Sequence, residues 1–325
     1  MLSDNHKNQP KTLRSVQRIL IIKHGALGDI IQGLDAYASV RAQFADAHIA
    51  LLTSKAFAPL MRSMPYFDEV YIDKRAPFWQ LPSLLHMRRL LLDDFDIIID
   101  LQCSKRTNHY QKYLTNKAQI WFGAAKNASH PYPDFTGVNN AERMRIASDM
   151  AACFVYGDKG IHRVAADLSF LSADRDRFNL PKSYAVLIPG CSPAKPSKRW
   201  PASSYAALAK LLLSKKITPV LIGTKIDQAS CDEIGNQVPK SVNLCGQTDL
   251  AQLAAIAAGA KLVVGNDSGP IFLAAKTGAP SWMLMGADTD PSMSAPTGKN
   301  AHYIKTDNLQ SLSAAKVMKA ISEVL

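Results

Sequence analysis

The stretch Lys261-Leu262-Val263-Val264-Gly265-Asn266-Asp267-Ser268-Gly269-Pro270 leads from an apolar, strand-like run into a helix-like segment that extends from Ile271 to Thr277. A small hydroxyl residue and a glycine occupy the tight turn between them. A helix that begins at such a turn presents free backbone N–H groups, and its dipole adds partial positive charge. Groups of this kind bind phosphate. The stretch therefore predicts a phosphate-binding corner at the end of a buried strand.

A second corner, near the other end of the chain, has similar glycine spacing but carries an acid. The apolar run at 19–22 is followed by Lys23-His24-Gly25-Ala26-Leu27-Gly28-Asp29. Asp29 is either the N-cap of a helix or a general base, and the two roles conflict because a helix N-terminus favours the charged carboxylate. The glycine spacing does not match GxGxxG, so no dinucleotide fingerprint is predicted. A corner for a diphosphate and a corner with a carboxylate suggest a two-domain transferase.

Short apolar runs alternate with amphipathic stretches along the chain, which predicts parallel sheets flanked by helices. Strands are predicted at 19–22, 49–52, 70–72, 97–101, 120–122, 184–188, 219–222, 242–244, 262–264 and 282–284. Helices are predicted at 30–44, 56–64, 81–92, 141–156, 203–213, 227–237, 249–258 and 269–277, with helical spacing again from 309 to 325.

The periodicity is lost between 157 and 182, and we place a domain boundary near 165–182. The expected domains are residues 1–170 and 171–325, with a ligand in the cleft between them. The stretch 124–138 is rich in Asn, Pro, Gly and His and is predicted to be a long loop, either functional or a mobile linker.

The chain has 325 residues, 47% of them hydrophobic, and a formal net charge of +11. This charge indicates an anionic partner, which is a nucleic acid, a nucleotide or an acidic membrane surface. Nucleic acid is disfavoured because no Arg/Lys block exceeds two residues and no RNA-binding aromatic signature is present. Five scattered cysteines without a CxxC pair indicate a reduced cytosolic protein with mostly buried thiols.

The sequence contains no metal-binding motif, so neither a metal nor a cofactor is expected. The first 15 residues lack an apolar core, which argues against a signal peptide. No apolar run approaches the ~20 residues that span a bilayer. Any contact with a membrane is therefore expected from its surface.

A basic loop follows the first predicted strand of the second half, Pro189-Gly190-Cys191-Ser192-Pro193-Ala194-Lys195-Pro196-Ser197-Lys198-Arg199-Trp200-Pro201. Lys195, Lys198 and Arg199 could neutralise a diphosphate. The alternative is a solvated loop in which Trp200 packs at a helix start.

Three further strand ends carry polar residues. Gly223-Thr224-Lys225-Ile226-Asp227 either lines a nucleotide pocket or is a plain turn. His24 either assists Asp29, contacts an anionic substrate or is incidental. In Asp100-Leu101-Gln102-Cys103-Ser104-Lys105-Arg106, the two basic residues either receive an acidic acceptor or are simply exposed.

Four motifs in this order resemble glycosyltransferase family 9, the lipopolysaccharide heptosyltransferases. They are Ala26-Leu27-Gly28-Asp29, Asp96-Ile97-Ile98-Ile99-Asp100-Leu101-Gln102, Lys198-Arg199-Trp200-Pro201 and Val264-Gly265-Asn266-Asp267-Ser268-Gly269-Pro270. The resemblance implies a GT-B architecture, with two Rossmann-like domains whose parallel sheets face a central cleft and a last helix that packs back on the first domain. It also implies inverting, metal-independent transfer of heptose from ADP-heptose to the anionic lipopolysaccharide inner core. The enzyme would be cytoplasmic, at the inner face of the inner membrane, and would bind no nucleic acid.

The resemblance assigns roles by position. Asp29 would be the base, Lys198 would stabilise the departing diphosphate, and Ser192 would contact phosphate. Asp267, Ser268, Gly269 and Pro270 would hold the sugar and the diphosphate of the donor. The strand ends described above add Thr224 and Asp227 as expected donor residues and His24, Gly28, Gln102, Lys105 and Arg106 as expected acceptor residues.

The chain departs from the family pattern at two places. Phe272 stands where many members have a histidine, and His24-Gly25 replace small polar or hydrophobic residues. The alternatives are therefore the same fold with a different nucleotide sugar, or a nucleotide-sugar-binding protein without catalysis.

Overall fold

The computed structural model describes residues 16–116 and 119–324 and contains two compact units. The first consists of 16–25, Leu34–Phe135 and Arg143–Ala166, and the second of Ala26–Gly33, Thr136–Glu142 and 167–324. The segment Ala26–Gly33, which carries Asp29, therefore belongs to the same unit as the C-terminal half of the chain.

The first unit is built on a six-stranded sheet in the order β3-β2-β1-β4-β5-β6. Every neighbouring pair is parallel. The strands are β1 (Arg18–Ile22), β2 (His48–Ser54), β3 (Glu69–Asp73), β4 (Ile97–Asp100), β5 (Ile120–Gly123) and β6 (His130–Pro131). This order is that of a doubly wound Rossmann sheet, in which β1 and β4 flank the point where the winding reverses.

The described part of the first half of the chain contains six α-helices. They are α1 (Leu27–Gln32), α2 (Leu34–Gln43), α3 (Ala58–Ser63), α4 (Leu81–Leu91), α5 (Lys105–Leu114) and α6 (Asn140–Tyr156). The predicted single helix at 30–44 is wrong, because the chain forms two helices that meet at Gly33. The break coincides with the border between the two units, where the second unit ends and the first resumes.

The second unit repeats the design with a six-stranded sheet in the order β12-β11-β10-β7-β8-β9. All of its neighbouring strands are also parallel. The strands are β7 (Tyr184–Ile188), β8 (Thr218–Leu221), β9 (Val242–Asn243), β10 (Leu262–Asn266), β11 (Ser281–Met285) and β12 (Ala301–Lys305). The winding reverses between β7 and β10, the strands that precede the basic loop and the predicted phosphate corner.

Helices connect these strands. They are α7 (Ala202–Ser214), α8 (Gln228–Gln237), α9 (Leu250–Ala258), α10 (Gly269–Lys276), α11 (Pro291–Ser294) and α12 (Ala314–Ile321). The apolar side chains of α12, Val317 and Ile321, are fully buried in the core that also contains α7 and the sheet of the second unit. The apolar positions predicted at helical spacing near the C-terminus are thus the buried positions of α12.

Burial explains why the apolar runs identified the strands. Every residue of β7, β10 and β11 is buried, as is every residue of β4. Strands covered by helices on both faces read as continuous hydrophobic runs, as in other parallel sheets. The exposed edge strand β12 has a different pattern and was not predicted.

No helix within residues 16–116 and 119–324 is long and apolar enough to cross a membrane. The first 15 residues, on which the signal-peptide prediction rests, lie outside the described residues. All five cysteines are free thiols, and three of them, Cys191, Cys231 and Cys245, are buried. The predicted loop at 124–138 contributes the short strand β6.

Candidate functional site

The buried side chain of Asn266 holds together three segments at the winding reversal of the second sheet. Its Oδ1 accepts hydrogen bonds from the Trp200 backbone N–H at 3.1 Å and the Tyr205 hydroxyl at 3.1 Å. Its Nδ2 donates to the Pro189 carbonyl oxygen at 2.7 Å. Asn266 therefore fixes both ends of the 189–200 loop against the end of β10. A buried amide with its partners in place specifies one arrangement of these segments.

The predicted phosphate corner forms the N-terminus of α10. Ser268 is the N-cap, with φ −152° and ψ 161°, and its hydroxyl donates back to the Asn266 carbonyl oxygen at 3.2 Å instead of capping the helix. Pro270 occupies the first turn, where the missing N–H costs nothing. The first-turn N–H groups of this half-buried corner are consequently free of a side-chain cap. They carry the partial positive charge that favours an anion.

Lys198 and Asp267 form an ion pair beside this corner. The Lys198 ammonium donates to Asp267 Oδ2, which also accepts a hydrogen bond from the Thr289 hydroxyl at 2.7 Å. The loop that carries Thr289 is held in turn by the Lys305 ammonium, which donates to the Thr289 carbonyl oxygen at 2.9 Å. The pair is largely buried, with side-chain exposures of 17% for Lys198 and 8% for Asp267. Asp267 thus fixes where the charge of Lys198 lies.

A pocket of about 460 Å³ opens at the carboxyl ends of the strands of the second unit. Seven predicted site residues line it, namely Gly28, Ser192, Thr224, Asp227, Ser268, Gly269 and Pro270. Its apolar wall is formed by Ile188, Ile222, Ile226, Leu250 and Leu253. The pocket therefore combines an apolar wall with the uncapped end of α10, which suits a nucleotide base and its phosphates.

The N-terminus of α1 packs closely on that of α10. A Cβ built on Gly28 would lie 3.0 Å from Phe272 Cδ2 and 3.7 Å from the Gly269 Cα. A Cβ built on Gly269 would lie 2.8 Å from three side-chain atoms of Leu27. A side chain at position 269 would therefore clash with Leu27, and one at position 28 would crowd the Phe272 ring. Phe272 is 6% exposed and packs against Gly28, and it does not line the pocket.

Asp29 lies in the first turn of α1, directly after Gly28. Ala26 is the N-cap, so the alternative interpretation of Asp29 as an N-cap is wrong. Asp29 occupies the third helical position, and its Oδ2 accepts a hydrogen bond from the Ala26 backbone N–H at 3.1 Å. Among the described residues, Oδ1 has no hydrogen-bond partner. One carboxylate oxygen thus orients the side chain and the other remains available.

The buried carboxylate of Asp227 connects two segments in the wall of the pocket. Its Oδ2 accepts hydrogen bonds from the Thr224 N–H at 3.0 Å and the Thr224 hydroxyl at 2.9 Å. Arg199 lies 3.6 Å from Asp227 Oδ1 and donates to the Cys191 carbonyl oxygen at 3.2 Å. Arg199 and Asp227 therefore tie the basic loop to the turn after β8. Trp200 is fully buried, and its indole N–H donates to the Leu312 carbonyl oxygen at 2.9 Å. The packing of Trp200 at the start of α7 is what the second interpretation of the basic loop predicted.

The first unit contains a buried cluster around Asp73, a residue that the sequence did not indicate. Asp73 Oδ2 accepts a hydrogen bond from the Tyr110 hydroxyl at 2.6 Å and lies 3.1 Å from His24 Nε2 and 3.3 Å from Arg106 Nε. Burial alone would raise the pKa of Asp73, but hydrogen bonds from His24, Tyr110 and the Arg75 backbone N–H hold that pKa well below its ordinary value. His24, 4% exposed, is thus part of this cluster.

Gln102 and Asp100 organise the end of β4. Gln102 Oε1 accepts a hydrogen bond from the His24 backbone N–H at 2.9 Å. Asp100 Oδ1 accepts from the backbone N–H groups of Gln102 and Cys103, both at 3.0 Å. Burial raises the pKa of Asp100 above its ordinary value, against the hydrogen bonds that it accepts. These contacts link the strand ends on either side of the winding reversal of the first sheet.

The two basic residues after β4 have different environments. Lys105 is exposed at the first position of α5. Arg106 is partly buried and donates from Nη2 to the Ala76 carbonyl oxygen at 2.7 Å, in addition to its pairing with Asp73. Of the residues that the sequence assigned to the acceptor, His24, Gln102 and Arg106 are held by hydrogen bonds and ion pairs. Lys105 is an exposed cation.

The structure brings the predicted residues together in two groups. Asp29, Gly28 and all the donor residues lie in the second unit, whereas His24, Gln102, Lys105 and Arg106 lie in the first. Asp29, Lys198 and Asp267 do not line the pocket themselves, although Asp29 follows the lining residue Gly28 and Asp267 precedes the lining residue Ser268. Within 16–116 and 119–324, no three His, Cys, Asp or Glu residues are placed to hold a metal ion.

The chain is similar to proteins of one known family. The profile described as "Glycosyltransferase family 9 (heptosyltransferase)" matches residues 84–322. The chain is 26% identical over 330 residues to lipopolysaccharide heptosyltransferase 2 of Salmonella typhimurium, which covers 89% of this chain and 88% of that protein.

Two solved structures share the fold. The glycosyltransferase family 9 protein of Veillonella parvula superposes with a TM-score of 0.77 at 18% identity, over 97% of this chain and 99% of that one. The Escherichia coli heptosyltransferase WaaC with ADP-2-deoxy-2-fluoro heptose superposes with a TM-score of 0.74 at 21% identity, over 95% of this chain and 100% of that one. The likeness shows an α/β fold of the GT-B class with two Rossmann-like units. Because the profile matches more than half of the sequence, this chain belongs to glycosyltransferase family 9, the heptosyltransferases.

Proposed function

We propose that this enzyme transfers heptose from ADP-heptose to the lipopolysaccharide inner core, with inversion at the anomeric carbon and without a metal ion. The proposal depends on one observation, that the second unit brings together the groups that such a transfer needs. It contains the uncapped N-terminus of α10, the Lys198–Asp267 pair and, through the packing of Gly28 on Gly269, the carboxylate of Asp29.

The pocket beside α10 suits an adenosine diphosphate. Ile226 is 68% exposed and lines the pocket together with Ile222 and Leu253, which gives the base an apolar surface. Ser192 and the N-terminus of α10 lie in the same lining and suit the phosphates. The Escherichia coli relative whose solved structure contains ADP-2-deoxy-2-fluoro heptose supports the choice of an adenine nucleotide.

Lys198 and the α10 amides supply the positive charge that the leaving diphosphate needs. Fixed donors aimed at a developing charge stabilise a transition state because they need not reorganise during the reaction. Asp267 and Thr289 hold Lys198 in place through one carboxylate oxygen. We therefore assign Asp267 a positioning role.

The proposed reaction is a single displacement. Asp29 Oδ1 accepts the proton of the acceptor hydroxyl while that oxygen attacks the anomeric carbon of the heptose from the face opposite the diphosphate. The bond from the anomeric carbon to the diphosphate oxygen breaks, and ADP leaves with the electron pair. The hydrogen bond from the Ala26 N–H to Oδ2 orients the carboxylate for this step.

The acceptor is expected to be the anionic core of lipopolysaccharide. The Salmonella typhimurium relative is a lipopolysaccharide heptosyltransferase, and the net charge of +11 on this chain favours an anionic partner. We propose that Lys105, Arg106, His24 and Gln102 lie on the acceptor side, with residues 1–170 as the acceptor domain and 171–325 as the donor domain. An enzyme of this kind would work in the cytoplasm at the inner face of the inner membrane and would bind no nucleic acid.

Transfer to a deacylated core acceptor tests the function. Wild-type enzyme with ADP-heptose should form a glycoside whose anomeric configuration, read by NMR, is opposite to that of the donor, and EDTA should not slow it. Lys198→Ala should lower kcat by about 10²–10³, the usual loss of a fixed charge donor. Lys210→Ala, which removes an exposed lysine of α7, is the matched control and should leave kcat unchanged. Retention of the donor configuration, or equal rates for both variants, would contradict the proposal.

A different nucleotide sugar is the second candidate, and Phe272 motivates it. The apolar ring of Phe272 packs against Gly28, beside the N-terminus of α10, at a position where many members of the family have a histidine. Thermal shifts with ADP-, UDP- and GDP-sugars separate the candidates, since stabilisation by UDP- or GDP-sugars alone would rule out ADP-heptose. Donor binding without transfer to any core acceptor would instead indicate a nucleotide-sugar-binding protein.

A further inference from the structure

Large apolar side chains are exposed along α4 and the turn that precedes it. Trp79 is 80% exposed, Leu81 65%, Leu85 64%, Phe78 41% and Leu92 36%. Single exposed apolar residues are ordinary in folded proteins. Five of them within fifteen consecutive positions form a patch of the kind that marks an interaction site. We call these five residues the α4 outer face.

The α4 outer face is distinct from the core-facing side of the same helix. Met87 and Leu91 of α4 are buried in the core of the first unit, where Leu84 also packs. Leu81 and Leu85 are four positions apart and so lie on one side of the helix, a different side from that of the buried pair. The helix thus has one apolar side that the fold uses and another that it leaves exposed.

Aromatic contacts extend the surface towards α5. The Phe78 ring lies 5.4 Å from the His109 ring, which stacks on Tyr113 at 5.8 Å. Tyr113 is 60% exposed, and the Lys112 ammonium lies 4.8 Å from its ring centroid. These contacts hold Phe78 in place, so the exposed ring is part of an ordered surface.

Positive charge accompanies the apolar residues. Between positions 74 and 92 the chain carries Lys74, Arg75, Arg88 and Arg89, all exposed, and no acidic residue. The acids that follow are Asp93, which pairs with Arg18 at 2.9 Å, and the exposed Asp94. The α4 outer face is therefore bordered by cations, and Asp93, the first acid that follows it along the chain, is paired with Arg18.

We propose that the α4 outer face docks on an anionic lipid bilayer, with α4 lying along the interface. A helix with exposed leucines, a neighbouring tryptophan and flanking arginines has the composition of interfacial helices. Tryptophan favours the headgroup region because its ring is apolar and its N–H remains solvated. Arg88 and Arg89 would contact lipid phosphates, and each basic residue near an anionic leaflet strengthens binding about fivefold.

Trp79 provides a direct probe of this docking. The chain has four tryptophans, and the other three, Trp121, Trp200 and Trp282, are at most 4% exposed. Titration with phosphatidylglycerol vesicles should shift the emission of Trp79 to shorter wavelength, and brominated acyl chains should quench it. Trp79→Phe should abolish both signals while sedimentation with the vesicles persists. The assay contains neither donor nor acceptor, so its failure would leave the proposed transferase activity untouched.

Variants test the surface itself by vesicle sedimentation. Leu85→Glu should weaken binding to phosphatidylglycerol vesicles at least tenfold, because it removes one inserted leucine and adds an anion. Arg88→Ala with Arg89→Ala should weaken it about 25-fold, at about fivefold for each arginine. The matched control is Leu211→Glu, at a 36% exposed leucine of α7, which should bind as wild type. Circular dichroism confirms that each variant is folded.

Three outcomes would overturn the proposal. The first is no change in Trp79 emission with phosphatidylglycerol vesicles. The second is equal binding to phosphatidylglycerol and phosphatidylcholine vesicles with no effect of the arginine substitutions. The third is a wild-type dimer in analytical ultracentrifugation that Leu85→Glu dissociates, which would show that a second copy of the chain covers the α4 outer face.

Discussion

Replacing Asn266 with alanine should destabilise the second unit more than its small change in volume suggests. The substitution leaves two buried backbone groups without a partner, the Trp200 N–H and the Pro189 carbonyl. Tyr205 keeps its other hydrogen bond, to the Ile188 carbonyl oxygen at 3.1 Å, and adds little to the loss. Each orphaned group costs about 1–3 kcal/mol. The expected decrease in the free energy of unfolding is therefore about 4 kcal/mol.

Urea denaturation followed by far-UV circular dichroism measures this decrease. The matched control is Asn308→Ala, which removes one exposed cap hydrogen bond, to the Gln310 N–H, and should cost about 1 kcal/mol. Since Asn266 also fixes the loop that carries Lys198, ADP affinity measured by calorimetry should fall in the Asn266 variant and not in the control. A destabilisation no larger than that of Asn308→Ala would refute the reasoning, because it would mean that the freed groups find other partners.

Two further predictions concern stability, one for each unit. Because the pKa of Asp73 is lowered in the folded state, its contribution to stability is present above about pH 4 and is lost as the pH falls below that value. The difference in unfolding free energy between wild type and Asp73→Asn should therefore shrink between about pH 5 and pH 2, and a constant difference would contradict it. Gly269→Ala should lower the melting temperature because its Cβ meets Leu27 at 2.8 Å, and Leu27→Ala should partly rescue it in the double variant.

The sequence predicted most strands because parallel sheets bury them completely. The apolar runs at 184–188 and 262–264 correspond to β7 and β10, where each residue is buried. The edge strand β12 was missed because its exposed residues do not form an apolar run. Helix α5 was missed for a similar reason, since its sequence KRTNHYQKYL is polar and its start depends on a local cap, in which Ser104 accepts from the Thr107 N–H.

The predicted site residues that were easiest to find are those at strand ends with glycine and hydroxyl residues, such as Ser268. Residues that act through distant contacts gave no local signal. Asp73 pairs with His24, 49 positions earlier, and Asn266 bonds to Trp200, 66 positions earlier. The position of Asp29 in the second unit also could not be foreseen, because it depends on the break at Gly33 and on the packing of Gly28 against Gly269.

The measurement that tests the central claim most directly is heptose transfer by Asp29→Asn at saturating ADP-heptose and core acceptor. Asparagine preserves the shape of the side chain and can still accept from the Ala26 N–H, but it cannot take a proton from the acceptor hydroxyl. We expect kcat to fall by about 10²–10⁴ while the Kd of ADP-heptose stays within about twofold. Asp46→Asn, at an exposed aspartate of the first unit, should behave as wild type. A kcat for Asp29→Asn within about tenfold of wild type would contradict the assignment of Asp29 as the catalytic base.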